Sequence, residues 1–334
     1  MTKLKSLLFL FSSFLFLFIC SCSFDPIPNP AGGGSSGNGI LYVVDNLNDS
    51  VYVYDNLSTL SGAVAASRTI SGSNTLITSP TVVAVDTSRD YLYVADTTQQ
   101  KIIVFSPAST SSGNATPLRT YAGLKRAGAF FYDATNDRLY ATDLTDQAIK
   151  VWDAIRNLSA GSSPTRTIPL GYQPSAFVLD VARDLLYVAD PVSVSVKVYE
   201  NAATLSSSTA LTPTRSFTNA TNAFVNLNGL ALNPDNNILF VSESDYHSIE
   251  IFDSASTLSA AVASSRRIVG DATTLTLNQD QVSFNSNLLY VLIDDTHLAI
   301  WTDANTTRDN TAPVRSAHFT DASHANSFAY DFTH

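Results

Sequence analysis

Leu92-Tyr93-Val94-Ala95-Asp96 decides the fold, because the same pattern comes back five more times. The other copies are Leu41-Tyr42-Val43-Val44-Asp45, Leu139-Tyr140-Ala141-Thr142-Asp143, Leu186-Tyr187-Val188-Ala189-Asp190, Leu239-Phe240-Val241-Ser242-Glu243 and Leu289-Tyr290-Val291-Leu292-Ile293. Successive copies lie 51, 47, 47, 53 and 50 residues apart. Short runs rich in β-branched and aromatic residues, each ending at a turn former, read as strands. A strand unit returning at a period near fifty predicts an all-β chain, a β-propeller.

Working outward from Leu92 defines the whole unit. Val82-Val83-Ala84-Val85-Asp86 precedes it across the turn Thr87 to Asp90, and Ile102-Ile103-Val104-Phe105 follows the turn Thr97 to Gln100. A Ser/Gly/Asn-rich loop then leads to Pro117-Leu118-Arg119-Thr120-Tyr121. Four strands in about 45 residues make one blade. The first strand recurs as 130–133, 177–180, 230–233, 282–285 and 328–331, and the third as 51–54, 149–152, 196–199, 249–252 and 298–301. The fourth carries Arg68, Arg119, Arg166, Arg215, Arg266 or Arg315. Continuous apolar runs suit strands buried on both faces by neighbouring blades. Six copies of each element predict a six-bladed β-propeller of four-stranded blades over residues 40–334. The first unit begins at its second strand, and the sequence ends on a lone first strand, Phe328 to Asp331. Those fragments are expected to complete one blade and close the ring, removing an exposed edge.

The units resemble the NHL-repeat and YVTN-repeat propellers, which read as an apolar pair before Asp, then Leu-Tyr-Val-Ala-Asp, then Ile-x-Val-Phe. The sixth unit departs, with Ile293 in the acid's place and Asp294 one position later. The resemblance implies fold rather than function, since such propellers host binding and several chemistries.

The first residues read as an address. Lys3 and Lys5 precede an almost wholly apolar stretch from Leu7 to Ile19. Thirteen residues are short of the roughly 20 needed to span a bilayer, so the stretch reads as a signal peptide, residues 1–21. Ile19-Cys20-Ser21-Cys22 resembles the lipobox of bacterial lipoproteins. That resemblance implies lipidation of Cys22, and Ser23 rather than Asp after it implies the outer membrane. Residues 22–39 carry Pro26, Pro28, Pro30 and a Gly/Ser run, the composition of a flexible tether.

Composition narrows the function. Charged residues are 14% of the chain and apolar ones 45%, with 14 Tyr and 18 Phe. The net charge of −10 becomes −12 once Lys3 and Lys5 leave with residues 1–21. An acidic domain repels phosphate backbones, so nucleic acid is not an expected partner. Cys20 and Cys22 are the only cysteines, so residues 23–334 hold neither a disulfide nor a thiolate metal site.

No stretch shows G-x-S-x-G, a phosphate loop or zinc-ligand histidine spacing. The column Asp45, Asp96, Asp143, Asp190, Glu243 and Asp294 is expected to cap its own turns. The Arg column is expected to pair with the acid after the third strand, Asp55, Asp153, Glu200 or Asp253, with Ser106 and Thr302 departing. Channel-mouth positions just before the first strands are Thr81, Gly128, Ser175, Asn228, Asp280 and Asn326. Asn228, Asp280 and Asn326, on adjacent blades, are candidate oxygen ligands for calcium. Here the chain is similar to the gluconolactonase family of calcium-dependent six-bladed propellers, although its inner strands lack the family's Glu. The expectation is a monomeric, lipid-anchored binding module of the bacterial cell envelope, facing the periplasm or exterior and recognising a protein or an envelope glycan. It has no catalytic residues and needs no cofactor. The alternative is a calcium-dependent lactonase-type hydrolase at the channel mouth.

Overall fold

The computed structural model describes residues 38–275 and 281–334. The signal peptide, Cys22 and nearly all of the tether lie outside the described residues, as does Asp280. What is described consists of strands and single 3-10 turns.

Six antiparallel sheets follow one another around a ring. In blade 2 the strands run Pro80–Asp86, Tyr91–Asp96, Lys101–Phe105 and Arg119–Ala122, from the axis outward. Blades 3 to 6 repeat this order. Blade 1 takes its innermost strand, Ala325–Asp331, from the end of the sequence and sets it antiparallel against Ile40–Asp45, with Ile40 opposite Asp331. The six-bladed β-propeller and its closure by the last strand are therefore present as expected.

The repeated second strand is the middle of every core. Tyr42, Tyr93, Tyr140, Tyr187, Phe240 and Tyr290 are each essentially inaccessible, and Trp152 and Trp301 fill the outer layers of blades 3 and 6. Burying each of these rings contributes about 1.5–3 kcal/mol, an upper figure because the unfolded chain is itself partly compact. Alternate residues of one strand serve different clusters. Tyr42 and Val44 pack toward blade 2, whereas Leu41 and Val43 pack toward blade 6. Each strand thus glues two seams, which is why the runs are continuously apolar.

The hairpin after each inner strand turns through a left-handed residue. Asp90, Asp137, Asp184, Asn237 and Asn287 hold φ between 55° and 67°, a conformation Asp and Asn tolerate better than other side chains. Gly39, at φ 78°, takes this place in blade 1, so the chain is engaged with the blade already from Asn38. The carbonyl of each of these six accepts an N–H of the turn beyond the third strand, a 3-10 turn in four of the blades, for example Ala108 N to Asp90 O at 2.8 Å.

The Arg column does more than expected. Within blades it meets the predicted acids, Arg68–Asp55 at 3.2 Å, Arg166–Asp153 at 3.0 Å, Arg215–Glu200 at 2.8 Å and Arg266–Asp253 at 2.9 Å. Five of the six also cross the seam to a carbonyl in the segment just beyond the next blade's third strand. Arg68 donates to Ser109, Arg119 to Leu158, Arg166 to Leu205, Arg215 to Ser256 and Arg315 to Leu57. A planar fork with several donors serves both partners at once.

Two sheets have a fifth strand where a loop was expected. Gly62–Val64 pairs in parallel with Arg315–Phe319 of blade 6, and Ala260–Val262 with Arg215–Asn219 of blade 4. Both lie between the third and fourth strands of their own blades, in near-identical stretches, Ser58-Thr59-Leu60-Ser61 and Ser256-Thr257-Leu258-Ser259 followed by Ala63-Val64-Ala65 and Ala261-Val262-Ala263. Each covers the outer edge of the preceding blade.

Candidate functional site at the channel mouth

All six inner strands start on the same face of the ring and surround an axial cavity of about 260 Å3. In four blades the strand opens with a bulge against its neighbour. The register slips between Pro80 and Val82, and likewise around Gly128, Asn228 and Asn326. An unpaired extra residue at a rim bends the strand and re-aims side chains. Thr81, Gly128, Asn228 and Asn326 are those extra residues, so the channel-mouth positions marked in the sequence are structurally distinct. In blade 3 the Thr142 hydroxyl accepts the Gly128 and Ala129 amides, at 3.0 and 2.8 Å.

The wall below is apolar, with Val82, Phe130, Phe177, Leu230 and Val282 among its side chains. Polar groups are spent on neighbours. Gln281 accepts from the Phe328 amide at 2.8 Å and donates to its carbonyl at 3.1 Å, fastening blade 6 to blade 1. Ser283 and Tyr330 share a 2.8 Å bond, and burial pushes the Tyr330 phenol up to about 12.

Asn228 and Asn326 do line the cavity. Asn228 donates to the Ser244 hydroxyl at 3.1 Å, and the Asn326 carbonyl oxygen accepts the Asn46 amide at 3.2 Å. The third candidate, Asp280, lies outside the described residues. Among the described residues, no carboxylate or imidazole belongs to the cavity wall.

The acid column surrounds this mouth. Asp45 accepts the amides of Leu47 and Asn48 in its own turn, and those of Ser323 and His324 in the segment that feeds the inner strand. Burial works to raise its carboxyl, yet the four amide bonds prevail and hold it below the ordinary range. Asp96, Asp143 and Glu243 clamp both segments in the same way. The expected cap is thus a cap plus a clamp on the crossover between blades. In blade 6 a register shift between Leu292 and Asp294 absorbs buried Ile293, and Asp294 caps the turn at the Thr296 amide.

The mouth also carries exposed apolar side chains. Leu47 of blade 1 is 70% exposed, Val192 of blade 4 is 80% and Tyr246 of blade 5 is 42%, all in turns beside the acid column. Leu76 and Val225, on crossovers at the same face, are exposed as well. Nothing in the repeat pattern marks these residues, because they lie in turns between strands.

Six blades of four or five strands around an axial channel make the chain a β-propeller. No protein-family model matches it, and no curated protein matches it in sequence. Its fold is widely shared among solved structures, 1308 of whose chains match it. One, from the crystal structure of a nidogen/laminin complex, superposes with a TM-score of 0.58 at 14% identity, covering 88% of this chain and 98% of that one. At that identity the likeness concerns the fold.

Proposed function

We propose that this propeller is a protein-binding module held on the outer membrane of a bacterial envelope by lipid on Cys22, and that it binds through its channel-mouth face. The observation that carries the reading is the set of exposed apolar side chains on that face, Leu47, Val192 and Tyr246, mounted on turns that buried acids hold rigid. Apolar groups on rigid turns are what recognition surfaces use. The described cavity wall offers anchoring surface rather than an acid–base set, which favours binding over hydrolysis. The related ring in the nidogen/laminin structure belongs to a complex of two proteins. The lipoprotein signal and the NHL/YVTN character of the repeats are part of this reading.

The test places photo-cross-linking residues at Leu47 and Val192 on the mouth face, and at Leu118 and Val314 on the other, in the full chain in its own envelope. The expected result is one discrete adduct from the first pair alone. Equal adducts from both faces, or none, would overturn the binding face. Loss of fatty-acid labelling in Cys22→Ser, but not in Cys20→Ser, tests the anchor separately.

A further inference from the structure

Four inner strands end on an acid at the foot of a seam, Asp86, Asp133, Asp180 and Asp331, and two end on an amide, Asn233 and Asn285. Between blades 2 and 3 a cation occupies that place. Arg89, three residues after Asp86, sits 2.6 Å from Asp86 and 3.6 Å from Asp137, and Tyr132 donates to both carboxylates. Between blades 4 and 5 the same offset gives Arg183, 2.9 Å from Asp180 and donating to Pro234 O across the seam. At the closing seam between blades 1 and 2 the acids are Asp331 and Asp90, and the residue three after Asp331 is His334. Its Nδ1 lies 2.8 Å from Asp331 Oδ2, and the ligand atoms of Asp90, Asp331 and His334 all fall within 4.8 Å of one another.

We propose that His334 is the clip of the closing seam, engaged when protonated, so that ring closure is a pH-sensitive latch where the equivalents at two other seams, Arg89 and Arg183, hold a permanent guanidinium. The charged groups facing the imidazole are Asp331 of its own segment and Asp90 of the blade 2 hairpin. Asp90 is fixed by the Ser109 amide and hydroxyl, at 2.7 and 2.5 Å, and Asp331 by the Thr333 amide and hydroxyl, at 2.7 and 2.6 Å. Both acids are therefore anchored before the histidine arrives. The hydrogen bond to Asp331, opposed by slight burial and assisted by the charges of Asp331 and Asp90, holds the imidazole above its ordinary value of 6.5. A group raised on folding stabilises fully below its unfolded value and loses that contribution as pH rises through the folded one. The latch is therefore closed in acid and slackens above pH 6.5.

The experiment is hydrogen exchange of the amides of Ala325–Asp331 in the full chain. It compares wild type, His334→Arg and His334→Gln at about pH 5.5 and about pH 8.5, corrected for intrinsic rates, with and without chelator. Wild-type opening is expected to rise about two- to fivefold at the higher pH, the range of a partly exposed ion pair. His334→Arg should show no such rise. His334→Gln should open at both pH values as readily as the wild type does at the higher one. The other histidines are shared by all three proteins and cancel in the comparison. A wild-type response equal to that of His334→Arg would overturn the latch. So would protection that depends on added zinc or calcium and not on pH, which would assign the three side chains to a metal ion.

Discussion

Replacing Arg166 by Ala isolates the seam staples. Arg166 is largely buried, reaches Asp153 at 3.0 Å through Nε, and donates to Leu205 O at 2.8 Å and Ala202 O at 3.3 Å in blade 4. Its Nη2 also donates to Tyr140 OH at 3.1 Å, with the guanidinium 5.5 Å from the ring centre. Truncation leaves two carbonyls without their donor and Asp153 with only one of its two cations, Arg138 at 2.9 Å. A fully buried pair broken on one side costs about 3–5 kcal/mol. Asp153 keeps some solvent and its second partner, Arg138, so we discount this to about 2–4 kcal/mol. Arg119 is the internal control. Ser106 stands where Asp153 would, and Arg119 makes only two long carbonyl bonds, 3.3 and 3.2 Å, so Arg119→Ala should cost about 1 kcal/mol. At about 2–4 °C per kcal/mol for a chain of this order, the midpoints should fall by about 4–16 °C and about 2–4 °C respectively. Thermal unfolding followed by circular dichroism reads both. Equal shifts, or a fall below about 2 °C for Arg166→Ala, would refute the claim that these arginines hold the seams.

Three further outcomes are expected. Deleting residues 325–334 removes the partner of Ile40–Asp45 and should replace one cooperative melt by a broad, protease-sensitive transition; an unchanged melt would contradict closure by this strand. Asp45, Asp86, Asp153 and Asp294 are held below their ordinary values, so their stabilisation is complete above about pH 4 and disappears as pH falls through the folded values. Urea midpoints should drop below that pH, less steeply in Asp45→Asn, and identical slopes would reject the amide clamp. Gly72→Ala puts a Cβ 2.7 Å from the Asn114 side chain at φ 114°, and should cost about 1–3 kcal/mol by urea titration.

The ring was readable because the strands are local and periodic. Leu92 to Asp96 and its copies mark every blade, and the missing first strand before Leu41 announced the closure by Phe328 to Asp331. The acid column was readable for its turns, because an Asp two or three residues before an amide is a local signal. Its hold on the crossover is not local, since Ser323 lies 278 residues from Asp45. The seam staples left no trace, because their acceptors are carbonyls, which every residue has. Gly62–Val64 and Ala260–Val262 were opaque for a related reason: short, small and exposed, they become strands only where a neighbouring blade offers an edge. At the mouth, Asn228 and Asn326 line the channel. The sequence did not show that both are engaged with their neighbours, or that Leu47, Val192 and Tyr246 stand exposed above them.

The position of Ile40–Asp45 between two partners has a mechanical consequence. A pull on the chain at Asn38 runs along this strand, across six residue pairs with Ser50–Asp55 on one side and six with Ala325–Asp331 on the other. Such a load shears both ladders together, and hydrogen bonds strained side by side fail collectively instead of one after another. The same blade pulled from its outermost strand, Arg68–Ile70, would load only a three-pair ladder and one parallel bridge to Gly113. The propeller therefore resists a load along Ile40–Asp45 better than one at its rim.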